Sequence, residues 1–358
     1  MNQSHFITCL CIFSLISCAK KPVENAPETS SNNDTLRYEQ EKHLANLRQL
    51  TFGGDNAEAY WSFDGSKLTF QATRSEWNAA CDQIYVMETN HPVDTSVVPS
   101  RISTGFGRTT CSYFLPGDTT ILFASTHLAD KNCPPAPERT VDGHYVWPIY
   151  SSFDIYVSDL KGNVIDTLVN SPGYDAEATV SPKGDKIVFT SMRSGDLELY
   201  IMDTDGKNIK QVTNELGYDG GAFFSPDGNK LVFRASRPKT EDAVTTYKTL
   251  LAKDLVQPTE MEIFTCNLDG SDLRQVTNLG NANWAPYYHP LGEKIIFCSN
   301  HLSEQGFPFN LFMIGIDGQG LEQITFDTDF DSFPMFSPDG KRIAFASNRN
   351  NGDTRSTN

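Results

Sequence analysis

A short phrase that recurs along the chain constrains the fold more than any other feature. In its fullest form, at 224–233, an aromatic residue precedes Ser-Pro-Asp-Gly and an alternating apolar segment follows. Pro226 presets a turn dihedral and Gly228 supplies turn geometry, so the phrase predicts a strand, a tight turn and a second strand. Five further copies, some of them degraded, lie at 336–345, 180–189, 61–65, 114–118 and 288–292.

The spacing of these copies sets the size of the repeating unit. The shorter steps match the roughly 45 residues that a four-stranded propeller blade needs. Apolar third-strand segments follow several copies, at 84–87, 155–157, 199–203, 263–266 and 311–314. Fourth-strand signals come next, at 101–103, 211–213, 275–277 and 323–325. The sequence therefore predicts an all-β, six-bladed β-propeller with four-stranded antiparallel blades.

The repeats at 211–233 and 323–345 resemble the WD-like repeats of TolB-type six-bladed β-propellers, and the resemblance covers about residues 46–350. A further fourth-strand signal at 47–51 is expected to form an N-terminal strand that joins the last blade and closes the ring. TolB has an α/β domain ahead of its propeller, whereas only a polar stretch precedes this one. The last blade reaches Asn358 without a recognisable third strand, so it is either three-stranded or truncated.

The N-terminus has the pattern of an export signal. A short apolar run at 6–16 ends in Leu-Ile-Ser-Cys at 15–18, which resembles the lipobox of bacterial lipoproteins, although no Lys or Arg precedes the run. The predicted organisation is a lipoprotein signal peptide at 1–17, a flexible tether at 18–40 and the propeller at 41–358. The resemblance implies acylation of Cys18 and a lipid anchor that holds the domain on the periplasmic side of the outer membrane.

The charge of the chain narrows the class of partner. With 45 acidic and 29 basic residues its net charge is −16, which excludes nucleic acid, because phosphate backbones require a basic surface. The expected partners are an envelope protein or a glycan, and we expect a monomer without a cofactor or a metal.

Two series of polar residues recur at fixed distances from the turn phrase. Each series is expected to form a ring at the channel mouth. The first series is polar throughout: Asn56, Thr109, Asp175, Asp219, Asn283 and Asp331. The second can carry positive charge: Arg74, His127, Arg193, Arg237, His301 and Arg349. One interpretation is structural, with arginine and aspartate pairing to hold neighbouring blades together. The other is a binding site for a carboxylate or an anionic glycan, and metal binding at the two histidines is a third.

Two long insertions, at about 126–152 and 236–259, are predicted on the same face as these rings. The first contains His144, Tyr145 and Trp147, which suit a lid or a ligand platform, or pack only against one another. The second is predicted to contain a short helix around Tyr247. Three cysteines map to this face as disulfide candidates, Cys81, Cys111 and Cys133, whereas Cys266 and Cys298 are expected as buried thiols.

Two functions remain open from the sequence. The first is binding of a protein or glycan at the looped face of a lipid-anchored, envelope-associated propeller. The second is a propeller-based hydrolase or lyase that acts on a saccharide or peptide, with carboxylates such as Glu58, Asp175, Glu177 and Asp219 as acid and base. Peptidase activity of the prolyl-oligopeptidase type is not expected, because the chain has no Gly-x-Ser-x-Gly and no α/β-hydrolase domain. No catalytic residue is assigned.

Overall fold

Antiparallel hairpins build the molecule, as the sequence predicts. The computed structural model describes residues 36–90, 94–138, 140–141, 143–304, 306–349 and 356–358, with the backbone alone at His144. The predicted signal peptide, Cys18 and most of the tether lie outside these residues. Within the described ranges, no helix is both long and apolar enough to cross a membrane.

Five four-stranded sheets follow one another along the chain. The first contains β1 (Asp55–Trp61), β2 (Lys67–Arg74), β3 (Ala79–Glu88) and β4 (Ser100–Arg101), with a 3₁₀ turn at Ser75–Trp77. The second starts with β5 (Thr109–Phe114) and β6 (Thr120–Ser125). An insertion then carries β7 (Thr140–Val141), β8 (His144–Tyr145) and β9 (Trp147–Pro148). The sheet is completed by β10 (Asp154–Asp159) and β11 (Val164–Val169).

The remaining sheets repeat this order. The third contains β12 (Asp175–Val180), β13 (Lys186–Ser191), β14 (Glu198–Asp203) and β15 (Lys210–Gln211). The fourth contains β16 (Asp219–Phe224) and β17 (Lys230–Ser236), then the insertion with α1 (Glu241–Leu251) and β18 (Leu255–Val256), then β19 (Met261–Asn267) and β20 (Arg274–Gln275). The fifth contains β21 (Asn283–Tyr288), β22 (Lys294–Ser299), β23 (Asn310–Gly315) and β24 (Glu322–Gln323). A sixth sheet has only β25 (Asp331–Phe336) and β26 (Ile343–Ser347).

The Ser-Pro-Asp-Gly phrase forms the tight turn that its chemistry predicts. Ser225 Oγ donates a hydrogen bond to Asp227 Oδ1 at 2.5 Å, and the backbone N–H of Gly228 donates to Ser225 O at 2.8 Å. Gly228 has a φ of 68°, a left-handed conformation that glycine adopts without steric cost. Because the turn fixes the register, the apolar residues on either side of it face the core together.

The first strands of the six sheets contact one another in a closed cycle, in which β25 lies against β1. The indole N–H of Trp61 on β1 donates to Met335 O on β25 at 3.1 Å and joins the two ends of the cycle. Apolar side chains pack between neighbouring sheets and form one large buried cluster. A cycle of antiparallel sheets around a central channel is a β-propeller, so this part of the prediction is confirmed.

The predicted count of six complete blades is not confirmed. The described residues contain five four-stranded blades and the two-stranded sheet β25–β26. At the end of β26, Ser347 and Asn358 exchange backbone hydrogen bonds of 3.0 and 2.7 Å. In the third and fifth sheets, the last residue of the second strand pairs in this way with the first residue of the third strand. The predicted closing strand at 47–51 is not part of any sheet among the described residues. Gln49 Nε2 nevertheless donates to Thr51 O at 2.9 Å, the contact that Gln211 makes with Thr213 O at 2.8 Å beside a true fourth strand.

Both insertions connect the second and third strands of a blade, and they meet over the channel. Strand β9 pairs with β18, so that Trp147 lies opposite Val256. Helix α1 begins after Thr240, whose side chain accepts a hydrogen bond from the N–H of Ala243, and it buries Tyr247 and Leu250. The two insertions therefore form one structure, which we call the lid (residues 143–150 and 241–258).

Candidate functional site

A cavity of about 350 Å³ lies in the channel beneath the lid. This volume is within the range of pockets that bind small molecules, about 300–1,000 Å³. The lid contributes Trp147, Pro148, Ile149, Tyr150 and Val256 to its wall. The remaining wall is rich in aromatic rings and contains five charged side chains, Glu58, Asp82, Arg108, Glu177 and Arg234.

Each first strand presents one residue of a β-bulge to this cavity. The six residues have φ values between 45° and 59° and lie where the strand pairing shifts register: Glu58, Cys111, Glu177, Gly221, Ala285 and Phe333. A left-handed conformation costs a non-glycine residue about 1–2 kcal/mol, so the bulge is strained in five of the six strands. Its structural effect is to turn one residue per strand toward the channel, with a side chain in five of the six strands.

Glu177 is the most heavily hydrogen-bonded of these residues. Its carboxylate accepts hydrogen bonds from Arg234 Nη2 at 2.6 Å, Tyr218 Oη at 2.5 Å, Gly221 N at 2.7 Å and Thr190 Oγ1 at 2.9 Å. Burial alone would raise the pKa of Glu177, but the charge of Arg234 and these hydrogen bonds outweigh it and lower the pKa. Glu177 is therefore ionised, and its oxygens are already occupied.

Glu58 has a different environment. Tyr60 Oη donates to Glu58 Oε2 at 3.2 Å, and no ion pair of Glu58 is found among the described residues. Burial raises the pKa of Glu58, and the neighbouring charge of Glu177 adds to this effect, while Cys111 and Arg234 oppose it. Two carboxyl groups of one cavity thus have pKa shifts of opposite sign.

The other charged groups of the cavity are paired. Arg108 forms an ion pair with Asp82, and Arg234 forms one with Glu177. Burial raises the pKa of the Cys111 thiol well above its usual value, with the charge of Glu58 as the next cause, which keeps the thiol neutral.

The predicted rings occupy a different part of the fold. Arg193 donates to Asp175 at 2.9 Å, Arg237 pairs with Asp219, and Arg349 pairs with Asp331 at 2.6 Å. Each pair joins the first residue of a first strand to an arginine just after the second strand of the same sheet, whereas the structural interpretation expected contacts between neighbouring blades. Arg349 also binds the buried Glu41, at 2.5 Å.

The other members of the rings are also held locally. Arg74 lies over the ring of Trp77, with 4.7 Å between the guanidinium carbon and the ring centroid. Asn283 donates to Met261 O at 2.8 Å. His127 and His301 each contact a serine through Nδ1, at 2.9 Å, and burial lowers the pKa of both, so that they are neutral at pH 7. Of the twelve predicted ring residues, Thr109 lines the cavity and the other eleven do not.

The predicted lid residues lie close together. Trp147 Nε1 donates to Tyr145 Oη at 3.0 Å, and its ring centroid is 4.8 Å from that of Trp284. Tyr145 is exposed, Trp147 lines the cavity, and the side chain of His144 is outside the described atoms.

Of the three cysteine candidates on this face, Cys81 and Cys133 form a disulfide, which ties the first insertion to β3. Cys111 is a free, buried thiol in the cavity wall, and Cys266 and Cys298 are buried in strands. No cluster of three or more His, Cys, Asp or Glu side chains suited to a metal ion occurs in the described part of the chain.

The sequence did not reveal the bulge residues as one set. They all lie four residues before the serine position of the turn phrase, but they are Glu, Cys, Glu, Gly, Ala and Phe, so their chemistry shows no shared pattern. Glu58 and Glu177 were candidates only as carboxylates near the mouth. Arg234 lies on a strand, and its neighbours in the sequence are apolar, so only the fold shows that it faces Glu177.

Comparison with known proteins finds a matching family and similar solved structures. Residues 144–245 match the family described as TolB beta propeller domain. The putative TolB from Agrobacterium tumefaciens superposes with a TM-score of 0.54 at 18% identity, over 82% of this chain and 90% of that one. TolB from Acinetobacter baumannii gives a TM-score of 0.52 at 18% identity, over 83% of this chain and 59% of that one.

A third structure, an oligogalacturonate lyase in complex with manganese, has a TM-score of 0.45 at 15% identity, over 82% of this chain and 86% of that one, which is too low to support an argument. No protein of curated function matches the chain.

The closed cycle of antiparallel sheets and its lidded channel define a β-propeller with an internal cavity. The family match and the two TolB structures further show that its fold is TolB-like.

Proposed function

We propose that this protein is an envelope-associated propeller that binds a protein or glycan partner at its lidded face, and that the cavity receives part of the partner. The observation that carries the proposal is the cavity itself, because two insertions from different blades pair with each other to cover it. Loops gathered on one face of a rigid scaffold are where binding usually occurs. The TolB-like fold and the predicted lipobox at 15–18 support a location in the cell envelope, with Cys18 as the lipid anchor.

The predicted rings have a supporting role in this proposal. Because Arg193, Arg237 and Arg349 already pair with carboxylates, a ligand would have to displace those partners to use them. We therefore assign recognition chiefly to the cavity wall and the lid.

A hydrolase or lyase acting on a saccharide or peptide is the weaker proposal. Its best support is the opposite pKa shifts of Glu58 and Glu177 in one cavity, a pattern that suits an acid and a base. Against it, Glu177 accepts four hydrogen bonds, and Asp175 and Asp219 are held by arginines.

Capture from detergent-solubilised envelopes tests the binding proposal. The soluble domain from Leu36 onward is compared with a Trp147→Ala variant, which opens the cavity wall, and with Arg193→Ala, which changes the ring. We expect the partner to be retained by Arg193→Ala and lost at least about tenfold with Trp147→Ala, since buried aromatic anchors dominate binding energy. Equal capture by all three proteins would remove the cavity from the binding site.

A further inference from the structure

The cavity lining contains one more carboxyl group than guanidinium groups. It has three carboxyl groups, from Glu58, Asp82 and Glu177, but only two guanidinium groups, from Arg108 and Arg234. Arg108 and Asp82 form one ion pair and Arg234 and Glu177 form another, so the two charges within each pair cancel. Glu58 is left as the one carboxyl group in the lining without a cationic partner among the described residues.

The cavity wall that contains Glu58 is rich in aromatic rings. Tyr60 lies two residues after Glu58 on β1, Tyr174 and Tyr218 precede the first strands of the third and fourth blades, and Trp147 of the lid packs against Trp284. Aromatic faces attract cations through their quadrupole, and this attraction strengthens where water is excluded. The cavity already holds one cation in this way, since the guanidinium carbon of Arg234 lies 4.9 Å from the centroid of the Tyr218 ring.

Glu58 is also oriented to face a ligand. Its left-handed bulge turns the side chain into the channel, where it lines the cavity. The hydrogen bond from Tyr60 occupies one carboxyl oxygen, Oε2, and the Cys111 thiol also hydrogen-bonds to the carboxyl group. A carboxylate can accept several hydrogen bonds, so room remains for a donor from a ligand.

We propose that the cavity binds a primary ammonium group on an apolar carrier, the N-terminus of a peptide in particular, with Glu58 as its counter-ion. The ammonium supplies the missing positive charge and donates to the free acceptor sites of Glu58, while the aromatic rings contact the carrier. The inference rests on the proposed binding function and specifies what the cavity recognises.

Binding then requires Glu58 to ionise. The groups that act on it are Cys111 on β5, Glu177 on β12, Arg234 on β17 and Tyr60 on its own strand. An ammonium group bound beside Glu58 lowers its raised pKa, so the affinity increases as the pH rises through the pKa of Glu58 in the empty cavity.

Isothermal titration calorimetry with four probes tests the proposal. The charged probes are 2-phenylethylammonium and phenylalanyl-alanine amide, and the neutral probes are 2-phenylethanol and the N-acetylated dipeptide amide. We expect each charged probe to bind at least about tenfold more tightly than its neutral counterpart, since a hydrogen bond to a charged group contributes that much. Binding of 2-phenylethylammonium without the dipeptide would support the ammonium site and identify a small amine as its source.

A variant pair controls the test. Glu58→Gln keeps the size of the side chain and removes its charge, whereas Glu293→Gln makes the same change at an exposed position in the turn between β21 and β22, outside the lid and the cavity. Glu58→Gln should lose the preference for ammonium and the rise in affinity with pH, and Glu293→Gln should keep both. Equal affinity for charged and neutral probes, unchanged binding by a folded Glu58→Gln protein, or no binding of any probe would overturn the proposal. Capture of a partner through the lid despite a blocked N-terminus would exclude the peptide N-terminus as the ligand while leaving the proposed binding function intact.

Discussion

Arg234 shows how much a single buried charge can depend on its partner. It is 7% exposed, and its described ion pair is with Glu177, which is 8% exposed. Removal of one member of a buried pair leaves an uncompensated charge, which costs about 3–5 kcal/mol. We therefore expect Arg234→Met to lower the free energy of unfolding by about that amount in urea denaturation.

The double variant tests the cause of this loss. Combining Arg234→Met with Glu177→Gln removes both charges and should recover a large part of the lost stability. If the double variant is as unstable as the sum of the two single variants, the pair does not explain the effect.

Gly221 is the one bulge residue without a side chain, and Arg234 explains why. A Cβ atom at Gly221 would overlap Arg234 Nη1, and the φ of 59° adds strain for any other residue. Gly221→Ala should therefore cost clearly more than the about 1–2 kcal/mol expected from a left-handed alanine alone. Gly195→Ala is the matched control, because its φ of 92° is also positive but its Cβ would have no neighbour within 4 Å. Equal losses of unfolding free energy in the two variants would contradict the packing argument.

For single residues, the sequence predicted which residue types form the site region but not which partners they contact. Periodic placement suggested that Arg193 and Asp175 belong to related rings, and the fold brings them into one ion pair. The pairing of Arg234 with Glu177 joins different blades, which no local pattern encodes. The left-handed bulges were invisible for the same reason, since they depend on how the first strands pack around the channel.

Among the strands, β14 contains an acid whose environment opposes ionisation. Glu198 is 2% exposed, and burial raises its pKa from 4.5 to about 8; a hydrogen bond from Thr213 opposes this shift, and the charge of Asp219 adds to it. The folded protein binds this proton more tightly than the unfolded chain does. The resulting stabilisation is complete below pH 4.5 and is lost as the pH rises through 8.

Glu198→Gln should remove this pH dependence. We expect the variant to gain stability relative to the parent across pH 4.5–8, by up to about 1.4 kcal/mol per pH unit. Urea denaturation at pH 5, 6.5 and 8 measures the difference. A difference between the two proteins that stays constant with pH would contradict the assignment.

The elements themselves were predicted well wherever turn chemistry and alternation agree. The Ser-Pro-Asp-Gly turns, the third strands and the short helix around Tyr247 all form. The pairing of β9 with β18 was not predicted, because two-residue strands in separate insertions carry no periodic signal and meet only through the tertiary fold.

For the whole molecule, the repeat predicts the closed cycle of first strands but not the composition of every sheet. The sixth copy of the phrase forms β25 and β26, and within the fourth-strand signal at 47–51 Gln49 contacts Thr51. At the edge of β26 where a third strand would lie, the described contact is the pairing of Ser347 with Asn358.

Hydrogen exchange measured by mass spectrometry tests most directly whether binding occurs at the lidded face. The protein is compared with and without the partner obtained by envelope capture. We predict slower exchange in the lid at 143–150 and 255–258 and in the bulges around Glu58 and Glu177, with no change in the Ser-Pro-Asp-Gly turns on the opposite face. Protection confined to those turns, with the lid unchanged, would contradict the account.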